Sequence, residues 1–356
     1  AVGVGSSGDS ATFAWSTEIF ALALKTRLCW CGDVGQGSCG ASSDFGLDFG
    51  ELSISGPLSV ARQLQSFTCH RGRACSVLGL QGTSLADGDA LLVVPVGYCG
   101  DLSAAVLGFP VASSWNDLSR SAHDGESSLA VNAGCDFTWG SEAVHVEPGT
   151  YDLCWCRSAL TSCTSRSEYR VAGARLSVKG PTSGQVFQCD IKADCVIQDV
   201  SGEGLEDYDQ VQIISHLYSC TSQWRPSSPL GVATASAGSV GTEFSFSSLA
   251  NKFTTLVGIY RICWCKPLDV NSTCEGLVDV GRIHVVAPFA DVDEEVMMGY
   301  SFKMRVNGVG LYTSVEDKIR LYTRCGNEDN DGLATVEVQV SADGTSYDFG
   351  VMTSAR

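Results

Sequence analysis

The motif Cys-Trp-Cys occurs three times in this chain, starting at Cys29, Cys154 and Cys263, and each copy is followed by a further cysteine, Cys39, Cys163 and Cys274. Repetition constrains architecture before local propensity does, and a period of about 110–125 residues is that of a whole domain. After each copy an alternating stretch runs into a proline: "ELSISGP" to Pro57, "RLSVKGP" to Pro181 and "RIHVVAP" to Pro288. Alternation of apolar and polar residues marks half-buried strands, and Gly-Pro or Ala-Pro marks a break between modules.

A second shared phrase lies downstream of each proline: "GTSLADGDALLVV" from Gly82, "GEGLEDYDQVQII" from Gly202 and "GVGLYTSVEDKIRLY" from Gly308. Its leucine (Leu85, Leu205, Leu311) stands at a nearly constant distance before another cysteine, Cys99, Cys220 or Cys325. Helical periodicity is almost absent. The expected fold class is therefore all-β, with tandem disulfide-bonded β-sandwich modules. Residues 57–180 and 181–287 each hold a complete module; residues 1–56 hold only a closing part and residues 288–356 only an opening part.

Seventeen cysteines at recurring positions point to an oxidising, extracellular setting. Zinc is the rival, but five scattered histidines beside Cys-x-Cys pairs fit it poorly. The pair Cys69/Cys75 recurs as Cys189/Cys195, and both members are missing together from the last fragment, as a bond within each pair predicts. Cys99, Cys154, Cys156, Cys163, Cys220, Cys263, Cys265 and Cys274 complete the expected intrachain set. In a strand the two cysteines of Cys-Trp-Cys share a face, so one can bond the following cysteine while the other reaches the upstream strand. Cys135 has no counterpart in the other copies. Asn271 opens an Asn-Ser-Thr sequon and is the expected glycosylation site.

The two fragments are complementary. Joined tail to head, they separate Cys325 from the next Cys-Trp-Cys by an interval close to those from Cys99 to Cys154 and from Cys220 to Cys263. The N-terminal fragment holds three cysteines, Cys29, Cys31 and Cys39, and its count becomes even only if Cys325 joins it. The expectation is a head-to-tail homopolymer, with Cys325 linked to Cys29 or Cys31 of the next subunit. Phe13, Trp15, Ile19, Phe20, Leu22 and Leu24 would supply the apolar donor strands. Two other arrangements fit the same repeat: a chain whose own ends meet, and a window of a longer repeat polypeptide. Ala1 reads as a processed end.

No constellation of nucleophile and base emerges, and the expectation is a protein without catalytic activity. "GDSAT" from Gly8 resembles a serine-nucleophile loop only in outline, and no histidine pair has helical spacing. "NEDNDG" places Asn327, Asp329 and Asp331 at calcium-loop spacing, but Val338 stands where a bidentate glutamate is needed, so a solvated acidic turn competes with a calcium site. Asp89, Asp209 and Asp317 recur after the shared leucine and read as turn-fixing residues. "CHRGRAC" (Cys69–Cys75) reads as a solvated basic hairpin. With 23 basic against 40 acidic residues the formal charge is −17, which disfavours nucleic-acid partners. No apolar run approaches the ~20 residues that a membrane-spanning helix needs.

The combined pattern of Cys-Trp-Cys, following cysteine, alternating strand, Pro, cysteine pair and Gly-x-x-Leu resembles the cysteine-rich repeats of large secreted and cell-surface proteins of protists, particularly alveolates. The resemblance covers nearly the whole chain and is weaker in the third copy, where Ala287 replaces glycine and the cysteine pair is missing. It implies a surface location and repetition, and no activity. Tyr151 and Tyr260, just before their motifs, are similar in placement to the tyrosine near the second cysteine of immunoglobulin domains, so the sandwich is expected to be immunoglobulin-like. The function expected is a subunit of an extracellular filament or surface hair. The alternative is an adhesive or glycan-binding ectodomain fragment of a longer cell-surface repeat protein, which recurring exposed aromatics would favour; Trp115, Trp139 and Trp224 do not recur.

Overall fold

The computed structural model describes residues 25–32, 39–60, 63–104, 106–112, 124–190, 195–221, 231–246, 257–267, 277–289, 293–311, 318–320, 337–339 and 346–351. The chain divides into two compact units, residues 1–179 and 180–356. Among the described residues the regular structure is all β-strand, apart from single 3-10 turns at Ser42–Asp44 and Arg166–Glu168.

In the first unit, β1 (Lys25–Trp30) and β2 (Leu47–Ser53) form an antiparallel hairpin. A separate sheet is built from β3 (Gln63–His70), β4 (Ala90–Pro95), β5 (Gly149–Cys156) and β6 (Val171–Pro181), in the order β3–β6–β5–β4. In the second unit β7 (Gln185–Asp190), β8 (Gln210–Ser215), β9 (Val232–Thr234), β10 (Gly258–Cys265) and β11 (Val278–Pro288) follow the order β7–β11–β10–β8–β9. β3 runs parallel to β6 and β7 parallel to β11, while the other neighbours are antiparallel. The two sheets therefore repeat one plan: a parallel outer strand, a long strand ending in proline, the Cys-Trp-Cys strand, and the strand of the shared phrase.

The proline of each module break sits in the same small ladder. Gly56–Pro57 pairs with Gly82–Thr83, Gly180–Pro181 with Gly202–Glu203, and Ala287–Pro288 with Gly308–Val309. The recurring glycine is a requirement of close approach. A Cβ on Gly82, Gly202 or Gly308 would lie 2.5, 2.5 or 2.4 Å from the carbonyl oxygen of Gly56, Gly180 or Ala287. Gly281 is tighter still: at φ +147° its Cβ would sit 1.9 Å from the Gln185 carbonyl on β7. Gly281→Ala is expected to push β7 off β11 and lower stability by about 2 kcal/mol, read from thermal unfolding; an unchanged melting temperature would contradict this packing.

Both faces of each sheet are covered. In the first, Leu91, Val93, Leu153, Trp155, Leu176 and Val178 pack with Val77, Phe137 and Trp139. Val77 and Phe137 sit on the short ladder Ser76–Val77/Phe137–Thr138, so the second layer is a two-residue ladder plus loops and not a broad second sheet. Glycine-rich turns with positive φ at Gly79, Gly108, Gly125 and Gly134 keep that layer irregular. The opposite face holds Leu92, Val94, Cys154, Cys156, Cys163 and Tyr169. The second unit repeats the arrangement, with Trp264 in the main core and Cys263 and Cys265 on the other face. Strand alternation explains the division: Trp takes one face and its flanking cysteines the other. Burial of each large apolar side chain here contributes about 1.5–3 kcal/mol.

The Cys69–Cys75 loop is not the solvated hairpin that its two arginines suggest. Arg71 is only 3% exposed, and its guanidinium donates to the His145 carbonyl at 3.1 Å and pairs with Glu147 at 3.4 Å. A buried guanidinium must find acceptors, and the loop turns inward to reach them. Burial, followed by the Arg71 charge, holds His145 below the usual histidine range.

Candidate functional site

The disulfides follow one rule. The first cysteine of each complete motif reaches upstream: Cys154 to Cys99 and Cys263 to Cys220, over separations of 55 and 43 residues. The second turns back to the next cysteine, as in Cys156–Cys163, 7 residues apart. Cys69–Cys75 and Cys189–Cys195 close loops of 6 residues. Cys265 is also disulfide-bonded, while Cys274 lies outside the described residues. In the N-terminal copy Cys31 bonds Cys39, 8 residues on. Of the two cysteines expected to link to Cys325 of the next subunit, Cys31 is thus taken up within the chain, as is Cys39, and Cys29 is left.

Cys29 is then an exposed free thiol. Its position in the β1–β2 ladder matches that of its counterparts. The register slips between Leu28 and Cys29, between Leu153 and Cys154, and between Ile262 and Cys263. A bulge at the same residue in three hairpins makes them one structural element. Yet β5 pairs with both β6 and β4, and β10 with both β11 and β8, whereas among the described residues β1 pairs with β2 alone. Leu153 and Ile262 are 0% and 1% exposed, but Leu28 is half-buried and Trp30 is 42% exposed. The hairpin is held by Arg27 to Asp48 and by Lys25–Glu51 at 3.2 Å, exposed pairs worth little each.

What covers the counterparts of Trp30 is informative. The Trp155 indole N–H donates to Asp89 Oδ2 at 3.2 Å, and the same oxygen accepts from the Ala86 amide at 3.1 Å. Asp89 thus fixes its turn, as expected, and also takes the tryptophan of the motif. Asp209 repeats the turn with the Glu206 amide at 3.0 Å; Lys266 stands 4.0 Å away, and the Trp264 indole lies near it, short of hydrogen-bond geometry. Burial pushes the Asp209 carboxyl up to about 6, against the lowering effects of the Glu206 amide, Lys266 and Trp264. The third aspartate of the series, Asp317, falls outside the described residues.

A strand of the shared phrase also lies in the last fragment. β12 (Lys318–Arg320), which occupies the place of β4 and β8 in the shared phrase, pairs only with β13 (Glu337–Gln339) among the described residues. β4 and β8 each hold a Cys-Trp-Cys strand on one edge. So among the described residues β1 has no neighbour of the β4 type, and β12 none of the β1 type. The residues expected to act as donors, Phe13, Trp15, Ile19, Phe20, Leu22 and Leu24, lie outside the described residues, as do Asn271, Cys325, Asn327, Asp329 and Asp331. Cys135 is a free, partly buried thiol whose Sγ–H points at the Ala133 carbonyl, 3.8 Å away. Among the described residues no cluster of His, Cys, Asp or Glu has metal-site geometry, and no helix is long and apolar enough to cross a membrane.

No protein-family model matches the chain. It is 25% identical over 207 residues to "Cysteine repeat modular protein B" of Toxoplasma gondii, an alignment that takes in 53% of this chain and 3% of that protein's length. Among solved structures, immunoglobulin domains 1–4 of Sidekick-1 align over 86% of this chain and 72% of theirs, at 10% identity and a TM-score of 0.17, too low to bear on the fold. The chain is a disulfide-rich array of β-sandwich-like repeat modules with distant similarity to a Toxoplasma cysteine-repeat protein, and its recurring disulfides suit the oxidising conditions of the secretory pathway.

Proposed function

We propose that the chain is a structural, non-catalytic subunit that assembles head to tail into an extracellular filament or surface hair. The β1–β2 hairpin of one copy completes the β12-containing half-module of another. One observation carries this reading: β1–β2 has the register and bulge of β5–β6 and β10–β11, but among the described residues no second strand flanks β1, Trp30 is exposed and Cys29 is a free thiol. An unpaired edge with an apolar face beside it invites strand addition. In the completed module Cys29 bonds Cys325 of the neighbour, as Cys154 bonds Cys99, and the Trp30 indole meets Asp317.

The test is to secrete the chain under oxidising conditions and compare gels with and without reductant. Rungs at multiples of 37.6 kDa that collapse on reduction, and that Cys29→Ser abolishes, are the expected result. Filaments in negative stain that persist in Cys29→Ser would keep the assembly and remove the covalent link. A folded monomer under both conditions would overturn the reading.

A second reading has an observation of its own: the similar Toxoplasma protein is so long that the alignment spans 3% of it. In a polypeptide of that kind neighbouring repeats complete both half-modules in cis, and the chain is part of an adhesive ectodomain. The monomer outcome above selects it.

A further inference from the structure

Charges directly opposite on adjacent strands are normally of opposite sign, because like charges there are destabilising. The first two hairpins obey. Arg27 faces Glu51, and Asp152 faces Arg175, with Arg175 Nε 2.7 Å from Asp152 Oδ1. The third copy breaks the rule at the same position: Arg261 on β10 faces Arg282 on β11. Arg261 is answered by Asp279, the residue opposite Cys263. The Arg282 side chain is exposed and makes no ion pair or hydrogen bond among the described residues.

These two arginines line an open groove of about 470 Å³, together with Ser183, Gly184, Val186 and Asp279. Asp279 is its one acidic residue, so the two guanidinium groups leave a net positive charge in a chain of formal charge −17. Val186 is 64% exposed and supplies an apolar wall beside Arg282, its parallel partner. Ser183 adds a hydroxyl that donates to the Asp279 carbonyl at 3.3 Å and presents its oxygen as an acceptor, and Gly184, at φ +77°, carries no side chain to narrow the opening. A planar guanidinium without a partner is suited to bidentate recognition of a carboxylate. An apolar wall next to hydroxyl and backbone groups suits the two sides of a pyranose ring.

We infer that the Arg261–Arg282 groove binds the terminal acidic sugar of a glycan, with its carboxylate on Arg282. The volume suits one or two sugar units. The acidic surface around the groove disfavours a long polyanion, which makes a sulfated polymer the wrong occupant. The site lies wholly in the second unit and does not depend on how the chain assembles.

The experiment is calorimetric titration of the full chain with 3′-sialyllactose, with lactose and with acetate. The expected result is saturable binding of sialyllactose alone, weakened at least tenfold by Arg282→Gln and less by Arg282→Lys, which keeps the charge and loses the fork. Arg282 is exposed, and an unchanged melting temperature certifies each variant. No binding of sialyllactose at millimolar concentration, binding unaffected by Arg282→Gln, or equal binding of lactose would overturn the site. Acetate binding as tightly as sialyllactose would overturn the sugar and leave a bare anion site.

Discussion

Replacing Cys99 and Cys154 together by alanine is expected to cost about 4 kcal/mol of stability, while replacing Cys156 and Cys163 costs about 2. The difference follows from loop length. The first bond joins residues 55 apart and the second residues 7 apart, so the first removes far more freedom from the unfolded chain. All but Cys99 of these four cysteines are fully buried in the same small cluster with Leu92 and Val94, so packing losses are similar and chain entropy decides. Urea unfolding followed by tryptophan fluorescence measures both. Equal losses in the two variants would mean that local packing around sulfur, and not the constraint on the unfolded chain, sets the contribution. Since Cys220–Cys263 closes a loop of 43 residues, its removal should match the larger value in the second unit.

The stability of the second unit is expected to fall as the pH rises from about 4 to about 7, and Asp209→Asn to abolish that fall. Burial raises the folded-state carboxyl to about 6, above its unfolded value of 3.8. The fold therefore favours the protonated form. Its contribution is full below the unfolded value and is lost as the pH rises through the folded one, a change of about 3 kcal/mol for a shift near two units. Asn keeps an acceptor for the Glu206 amide but carries no charge to bury. The variant should match the parent near pH 4 and be more stable at pH 7 in scanning calorimetry. A flat profile in the parent, or the same slope in both proteins, would show that Lys266, 2.7 Å from Glu206 and 4.0 Å from Asp209, neutralises the buried carboxylate fully.

Much of the fold was legible because it is local and repeated. "RLSVKGP" and "RIHVVAP" alternate visibly, and both close long strands that end at Pro181 and Pro288. The shared faces of the Cys-Trp-Cys residues follow from strand geometry alone. The parallel placing of β3 beside β6 was not legible, since no local signal states which distant strand an edge will meet. The second role of Asp89 was hidden likewise: its turn is set three residues away by Ala86, but its tryptophan comes from 66 residues downstream. The Arg261–Arg282 pair was invisible for a different reason. The bulge after Ile262 shifts the register by one residue, so no count along the two strands aligns those arginines without the ladder itself. Composition also misled at Arg71, where a basic loop suggested solvent and the side chain found buried acceptors.

The long-range disulfide has a mechanical meaning for any array of such modules placed under tension. A pulled chain lengthens as its strands peel away, but the residues enclosed by the Cys99–Cys154 bond are bypassed by the covalent link and cannot be drawn out. At about 3.3–3.6 Å per extended residue, the 55-residue loop holds back about 180–200 Å of contour length. Each intact module therefore yields less length when pulled, and reduction releases the part held back. Local thiol chemistry would then set how far the material stretches before it breaks.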